Sequence, residues 1–296
     1  MSDLPNDFLH RFELERAGVR GVLVRLTDSW DQVRGRAEYP PALADLLGRT
    51  LAASALFTGN VKFDGALSIQ IKNAGPVNLL FAECGSDGQV RGLARWAGDL
   101  ADESSMLGAQ PAPLLAITID NRTSGQRYQG LVPVEDAHLA TLFERYFERS
   151  EQLPTRVVLA CGDGSCAGLM LQRLPGSVHA EDDADAWNRV GHLLASARAN
   201  ELLTVAPETL LYRLFHEENV RLHAAQPLRF GCSCSRERVA AMLHSLGRSE
   251  AEAALRDDGQ VEVTCEFCNT QYRFDRVDLE QVFRSGQDMP AAPTQH

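Results

Sequence analysis

Lysine is almost absent from this chain: Lys62 and Lys72 are the only two in 296 residues, and the other basic residues are arginines. Lysine and arginine together number 29 against 40 acidic residues, a formal net charge of -11. That balance argues against non-specific binding to nucleic acid or to an anionic bilayer, since both need a basic footprint. The arginine preference itself carries no functional weight. No apolar run approaches the length needed to span a membrane, and the opening MSDLPNDFLHRFELE lacks the apolar stretch of a signal peptide. A cytoplasmic protein is expected, and in that compartment clustered cysteines read as a metal or redox site rather than a disulfide framework. Two enzyme motifs also fail. The glycine-rich Gly162 to Gly168 is not followed by the GK[ST] of a phosphate-binding loop, and His216-Glu217 opens like HExxH but has Val220 where the second histidine would stand.

What is present begins with an ordinary globular composition, 44% hydrophobic and 23% charged, in a chain long enough for a full core plus a small module. From Gly21 to about Leu174, strand-like runs (VLVRL, LSIQIK, VNLLFA, LLAITI, TRVVLA) alternate with helical ones, PPALADLLGRTLAASALF and EDAHLATLFERYFERS. The strands come in clusters without a βαβ rhythm. The expected class is therefore α+β: a mixed-sheet domain with packed helices over residues 1–176. A Pro-Gly pair and the acidic stretch Glu181 to Asp185 then mark a boundary. Residues 177–229 read as a helical linker, with Trp187, Val190 and Leu194 on one apolar stripe and Leu210, Leu211, Leu214 and Phe215 on another behind Pro207. Helices this short are marginal alone, so they must borrow stability from whatever they dock against.

Residues 230–287 form the last module, before a tail at 288–296. Ser235 is expected to cap a helix with Val239, Met242, Leu243 and Leu246 on one face, and Ser249 with Glu252 makes a capping-box signature for a second. A turn at Asp257 to Gly259 follows, and Val261 and Val263 lead into a CxxC that sits in the bend of a hairpin. Four of the seven cysteines lie here, Cys232 and Cys234 as CxC and Cys265 and Cys268 as CxxC. Two close thiolate pairs from separate segments suit one tetrahedral zinc ion, and a domain of about sixty residues commonly needs such a staple. The CxC pair is tighter than the usual ribbon CxxC, and without zinc Cys232 and Cys234 are near enough for a strained, labile bond. Cys234 precedes a helix N-terminus with Arg236 and Arg238 close in sequence, features that favour its thiolate. Cys84, Cys161 and Cys166 stand outside this set. Cys161 and Cys166 could be a second redox pair, but packing as small hydrophobes around a glycine-rich turn is the favoured reading.

The strings RLFHEENVR, FGCSCSRERV, LHSLGRSEAE, CEFCNTQYRFD and DLEQVF closely resemble the C-terminal half of the 33-kDa heat-shock family of redox-regulated holdase chaperones. VKFDGALSIQIKNAGPVNLL, QVRGLAR, YQGLVPV, YFERSEQLPT and AGLMLQRLPG are similar to its N-terminal half, so the resemblance covers nearly the whole chain. It implies an ATP-independent holdase, not an enzyme, silent when reduced and zinc-bound and active towards unfolding proteins once oxidised. It implies that Cys232, Cys234, Cys265 and Cys268 hold zinc, and that Cys232 pairs with Cys234 and Cys265 with Cys268 after oxidation. It further implies a metastable linker that carries the client surface, a homodimer when oxidised, and transfer of clients to an ATP-dependent foldase. Two other readings fit the cysteines less well. A nucleic-acid-binding zinc ribbon is disfavoured because seven arginines and no lysine face eleven acidic residues from Cys232 onward. A thiol-disulfide oxidoreductase is disfavoured because a strand, not a helix, follows the CxxC.

Overall fold

The structure, a computed structural model, describes residues 6–98, 100, 103–107, 112–134, 138–174, 183, 185–256 and 258–285. The expected boundary at 176/177, most of the acidic stretch at 181–185, Asp257 and the tail at 288–296 lie outside them. Two compact units are present, Met1–Gly231 and Cys232–His296.

The first unit is built on two sheets. One contains β1 (Phe8–Leu14), β2 (Val19–Leu26), β8 (Thr155–Cys161), β9 (Cys166–Arg173), β10 (Val220–Leu222) and β11 (Gln226–Pro227), in the order β10-β1-β2-β9-β8 with β11 also on β1. The other contains β3 (Gly65–Ala74), β4 (Val77–Gly85), β5 (Gln89–Trp96), β6 (Leu114–Asn121), β7 (Arg127–Pro133) and β12 (Arg229–Phe230), in the order β12-β5-β4-β3-β6-β7. Pairing is antiparallel except where β12 lies parallel to β5. Period-two alternation sets the faces. In β3, Leu67, Ile69 and Ile71 are buried while Ser68, Gln70 and Lys72 turn away.

Between the sheets runs α2 (Pro41–Asn60), with Pro41 at its first turn as the sequence leads one to expect. It is buried on nearly every side because its residues are small or aliphatic, from Leu43 and Leu47 to Ala52, Ala53 and Ala55. The hydroxyls of Thr50 and Thr58 return to carbonyls one turn back, Leu46 O at 2.7 Å and Ser54 O at 2.9 Å, so neither is stranded in this core. The shorter α1 (Asp28–Arg34), α3 (Glu103–Leu107) and α4 (Leu139–Tyr146) lie around it, α4 continuing as a π-helical turn over Phe147–Glu151. The linker sequence forms three short helices rather than the two its stripes suggest: α5 (Ala186–Ala195), α6 (Ala199–Thr204) and α7 (Pro207–Phe215).

The second unit holds α8 (Arg236–Leu246), α9 (Arg248–Ala253), the hairpin β13 (Gln260–Thr264) and β14 (Gln271–Asp275), and α10 (Arg276–Ser285). Ser235 caps α8 as expected, its Oγ accepting from Arg238 N at 3.3 Å. Ser249 does not cap α9. Gly247, at φ +93°, ends α8 and opens α9 at once, which leaves Ser249 one residue inside the helix. The α8 stripe is also half as wide as its spacing suggests: Val239 and Leu243 are buried, whereas Met242 and Leu246 are exposed.

Candidate metal centre and a covered sheet

The hairpin of the second unit carries Cys265 and Cys268 in its bend. Cys265 N donates to Thr270 O at 2.9 Å and Asn269 N to Cys265 O at 2.7 Å, with Asn269 in the left-handed region at φ 57°, so the bend is held by its own backbone. Cys232 and Cys234 arrive on the extended segment before α8. Sγ of Cys232 lies 3.6 Å from that of Cys265, Sγ of Cys234 lies 3.3 Å from that of Cys268, and all four sulfurs lie within 4.8 Å of one another. Four thiolates at about 2.3 Å from a tetrahedral ion would stand about 3.8 Å apart, so the donor set fits a zinc-sized, thiolate-preferring cation. Among the described residues this is the one group of His, Cys, Asp or Glu side chains that could hold a metal. His216 and Glu217 belong to no such group and lie in a 3-10 turn.

Polar neighbours surround the sulfurs. The Tyr272 hydroxyl donates to Cys234 Sγ at 3.1 Å, and Cys268 Sγ lies 3.1 Å from the Thr270 hydroxyl. Burial pushes the Cys232 thiol up to about 12 and raises Cys234 as well. Burial acts in the same sense on Cys268, but the hydroxyl and backbone of Thr270, with Cys234 and Cys265 beside it, outweigh it and draw that thiol down to about 6. The position of Cys234 before α8 and its neighbouring arginines do not offset the burial of its thiol. Its two arginines are engaged elsewhere: Arg236 donates to Arg273 O at 2.7 Å and pairs with Asp278 at 2.8 Å, and Arg238 donates to Ser233 O at 2.8 Å. Four adjacent sulfurs cannot all ionise without a cation among them, and a divalent ion removes that conflict.

The first unit offers a different feature. The sheet of β1, β2, β8 and β9 is apolar on both faces. Val22, Val24, Leu26, Val157 and Met170 face the core around α2, whereas Phe8, Phe12, Leu14, Leu23, Leu169 and Leu171 face the opposite way. This second face is covered by α5, α6 and α7. Val190, Leu194, Leu210, Leu211, Leu214 and Phe215 are all buried against it, and Trp187 packs at its margin with Arg156 5.8 Å from the ring centroid. Phe215 stacks on Phe12 at 6.2 Å, and Gly21 permits this because a side chain there would run into the Phe12 ring. Leu202, on the helix the stripes did not reveal, belongs to the same cluster.

Polar ties hold the cover as well. Arg25 donates to the carbonyls of Leu202 and Val205 at the end of α6, and Arg189 of α5 forks onto Glu218, Nε to Oε1 at 2.7 Å and Nη2 to Oε2 at 3.2 Å. The Glu218 side chain is 1% exposed, so this pair is shielded from water on one side. Neither tie leaves a sequence signal, because each joins residues far apart in the chain. A signal did exist for the two-faced sheet: the unbroken apolar run AGLML in β9 is what a strand buried on both sides requires.

With this geometry in hand, comparison with known proteins is direct. The family model described as "Hsp33 protein" matches residues 7–275. A 33 kDa chaperonin of Methylobacillus flagellatus is 42% identical over 98% of this chain and 99% of its own length, and one of Pseudomonas putida is 44% identical over the full length of both. The crystal structure of a 33 kDa chaperonin from Thermotoga maritima shares the fold, with a TM-score of 0.80 and 22% identity, covering 96% of this chain and 100% of that one. On the extent of the family match and the identity to full-length relatives, this chain belongs to the Hsp33 family.

Proposed function

We propose that this chain is a redox-regulated, ATP-independent holdase chaperone that is silent while its four-cysteine centre is reduced and zinc-bound. The observation that carries the reading is the convergence of four sulfurs within 4.8 Å in a unit whose buried core is small: Val239, Leu243, Ala251, Val261, Phe274 and Leu279. Cys232, Cys234, Cys265 and Cys268 would hold the ion, which when bound would let neighbouring thiolates coexist and add about 10–16 kcal/mol of apparent folding free energy. An oxidant of the peroxide or hypohalous acid class takes two electrons from each pair of thiols. In this reading Cys232 joins Cys234 and Cys265 joins Cys268, leaving no thiolate to hold a cation.

Residues 1–176 are then the stable core, 177–229 the part that lets go, and 230–287 the switch. The segment that lets go runs directly into β12, which is laid on β5, and Gly231 N, one residue before Cys232, donates to Val90 O at 3.0 Å. Helices α5, α6 and α7 have 10, 6 and 9 residues, below the length that holds a helix in water, so they persist only while docked. Their departure uncovers Trp187, Val190, Leu194, Leu210, Leu211, Leu214 and Phe215 together with the sheet face of Phe8, Phe12, Leu23, Leu169 and Leu171. An apolar area of that kind suits the exposed core segments of unfolding proteins. The active form is a homodimer in the cytoplasm, passing clients to an ATP-dependent foldase, with neither nucleic acid nor membrane as partner. Among the described residues no helix is long and apolar enough to cross a membrane.

The test is metal content and suppression of client aggregation, measured side by side in reduced and peroxide-treated protein, cold and with mild heat. The expected result is one zinc per chain and no activity when reduced. Peroxide in the cold should remove the zinc and give weak activity, and peroxide with heat should give strong activity with increased apolar-dye fluorescence. Zinc that survives oxidation, or equal activity in both states, overturns the reading.

A further inference from the structure

The hairpin of β8 and β9 turns through residues 162–165, and its last paired residues are Cys161 and Cys166, directly opposite each other. Gly162 N donates to Ser165 O at 2.9 Å and closes the turn. Hydrogen-bonded and non-hydrogen-bonded pairs alternate along an antiparallel ladder, so the two cysteines occupy a non-hydrogen-bonded position, where facing Cα atoms approach to about 4.5 Å. Disulfides span Cα separations of about 4.4–6.8 Å. Both side chains lie on the face beneath α2, since facing residues of a ladder project to the same side. Cys161 Sγ lies 4.0 Å from Ala44 O and fills the space that a side chain at Gly48 would need, while Cys166 is buried in the same core with its thiol near the backbone of Ala52. Ala44, Gly48 and Ala52 are successive positions on one ridge of α2, so both thiols lie along that ridge. Cys84 has no such neighbour, being flanked across its sheet by Leu67 and Val90.

We propose that Cys161 and Cys166 are a second, latent redox pair, which closes to a cross-strand disulfide when strong oxidation coincides with loosening of the hairpin. The reaction is balanced by one hydrogen peroxide. The Cys161 thiolate attacks one oxygen, the O–O bond breaks, and sulfenic acid and hydroxide result, the hydroxide taking a proton from solvent to become the first water. The Cys166 thiolate then displaces hydroxide from that sulfur, forming the S–S bond, and a proton completes the second water. Cys161 reacts first because it is half-buried beside the turn of the hairpin, whereas Cys166 is fully buried. The folded resting state is protected. Burial pushes Cys161 up to about 12 and raises Cys166 well above the ordinary thiol range, so the attacking thiolate is scarce. The hairpin tip is also pinned, by Trp30 Nε1 donating to Gly162 O at 3.1 Å and by Arg34 paired with Asp163 at 3.2 Å. Once closed, the bond staples β8 to β9. The adjacent pair, Ala160 and Ala167, projects to the opposite face that α5, α6 and α7 cover, so the staple preserves that sheet as a platform after its cover has gone. This reading does not depend on the metal centre.

The test uses the whole protein treated with peroxide, cold and with mild heat, then digested with trypsin. One peptide, Val157 to Arg173, holds both cysteines. After heat with peroxide it should be lighter by two hydrogens and resist alkylation. Further cleavage before Asp163 should leave its halves joined until reductant is added. In Cys161→Ser the remaining Cys166 should stay alkylatable, and the heated, oxidised protein should lose more amide protection in β8 and β9 than the unsubstituted one. Two alkylated cysteines in that peptide after such treatment, or sulfinic acid on either, overturns the proposal, whatever the four cysteines of the other unit have done.

Discussion

The first unit keeps its shape by burial on a scale that the second cannot reach. Around α2, side chains from two six-stranded sheets converge, and a further apolar layer lies between β1, β2, β8, β9 and the three short helices. Among its described residues the second unit buries six hydrophobic side chains, one of them aromatic, and sets four sulfurs beside them. Oxidants do not touch a Leu or Val core, but they act directly on thiolates. A chain that places most of its stability in the first kind of interaction and one module's stability in the second can lose that module selectively. The three helices on the sheet are intermediate: apolar and well buried, yet too short to persist undocked.

The sharpest break of this comparison is Cys265→Ser. Loss of one ligand should abolish metal binding and, with it, the order of the second unit, an effect of about 10 kcal/mol or more on that module. Metal analysis should read no zinc. Hydrogen exchange should show protection lost beyond Gly231 while β3, β4 and β9 keep theirs. Joint loss in both units would mean that they are one cooperative body.

A smaller effect is expected from the intermediate layer. Polar substitutions at Leu211 and Leu214, 1% and 9% exposed, should weaken docking of α7 by about 2–5 kcal/mol, the range for truncating a buried leucine. The reduced protein should then hold clients partly without oxidant and be cut by protease within the linker, with its zinc intact. An inactive, protease-resistant variant would show that docking of these helices is not the restraint.

The smallest effect should come from Tyr272→Phe, which removes the hydroxyl donor to Cys234 Sγ and leaves the ring. A hydrogen bond to a charged group is worth about 1.5–3 kcal/mol, so peroxide should release zinc from the variant about tenfold faster. Stopped-flow detection of zinc by a chromogenic chelator measures this, and an unchanged rate would show that the hydroxyl does not shield the sulfur.

Much of this was legible in the sequence for identifiable reasons. The four cysteines that could hold a metal fall into two pairs, and CxC and CxxC spacing is local geometry. Pro41 and Pro207 marked helix starts because proline sets its own φ. The strands β2, β3, β4, β6 and β8 are visible through alternation or β-branched runs, whereas β5 is diluted by glycine and alanine, and β9, apolar without a break, lacks the alternation that marks a half-buried strand. The capping signature at Ser249 misled because a glycine two residues earlier already served both helices.

Local pattern alone identifies the four cysteines that could hold a cation, the shortness of two of the linker helices, and the period of β2, β3, β4, β6 and β8, because these depend on neighbours within a few positions. Only the tertiary structure decided that β1, β2, β8 and β9 carry two apolar faces, that Phe215 rests on Phe12 above Gly21, that Arg189 forks onto Glu218, and that Cys161 faces Cys166 beneath α2. Register and long-range burial set these, and both are fixed by the free energy of the whole packed unit rather than by any local segment.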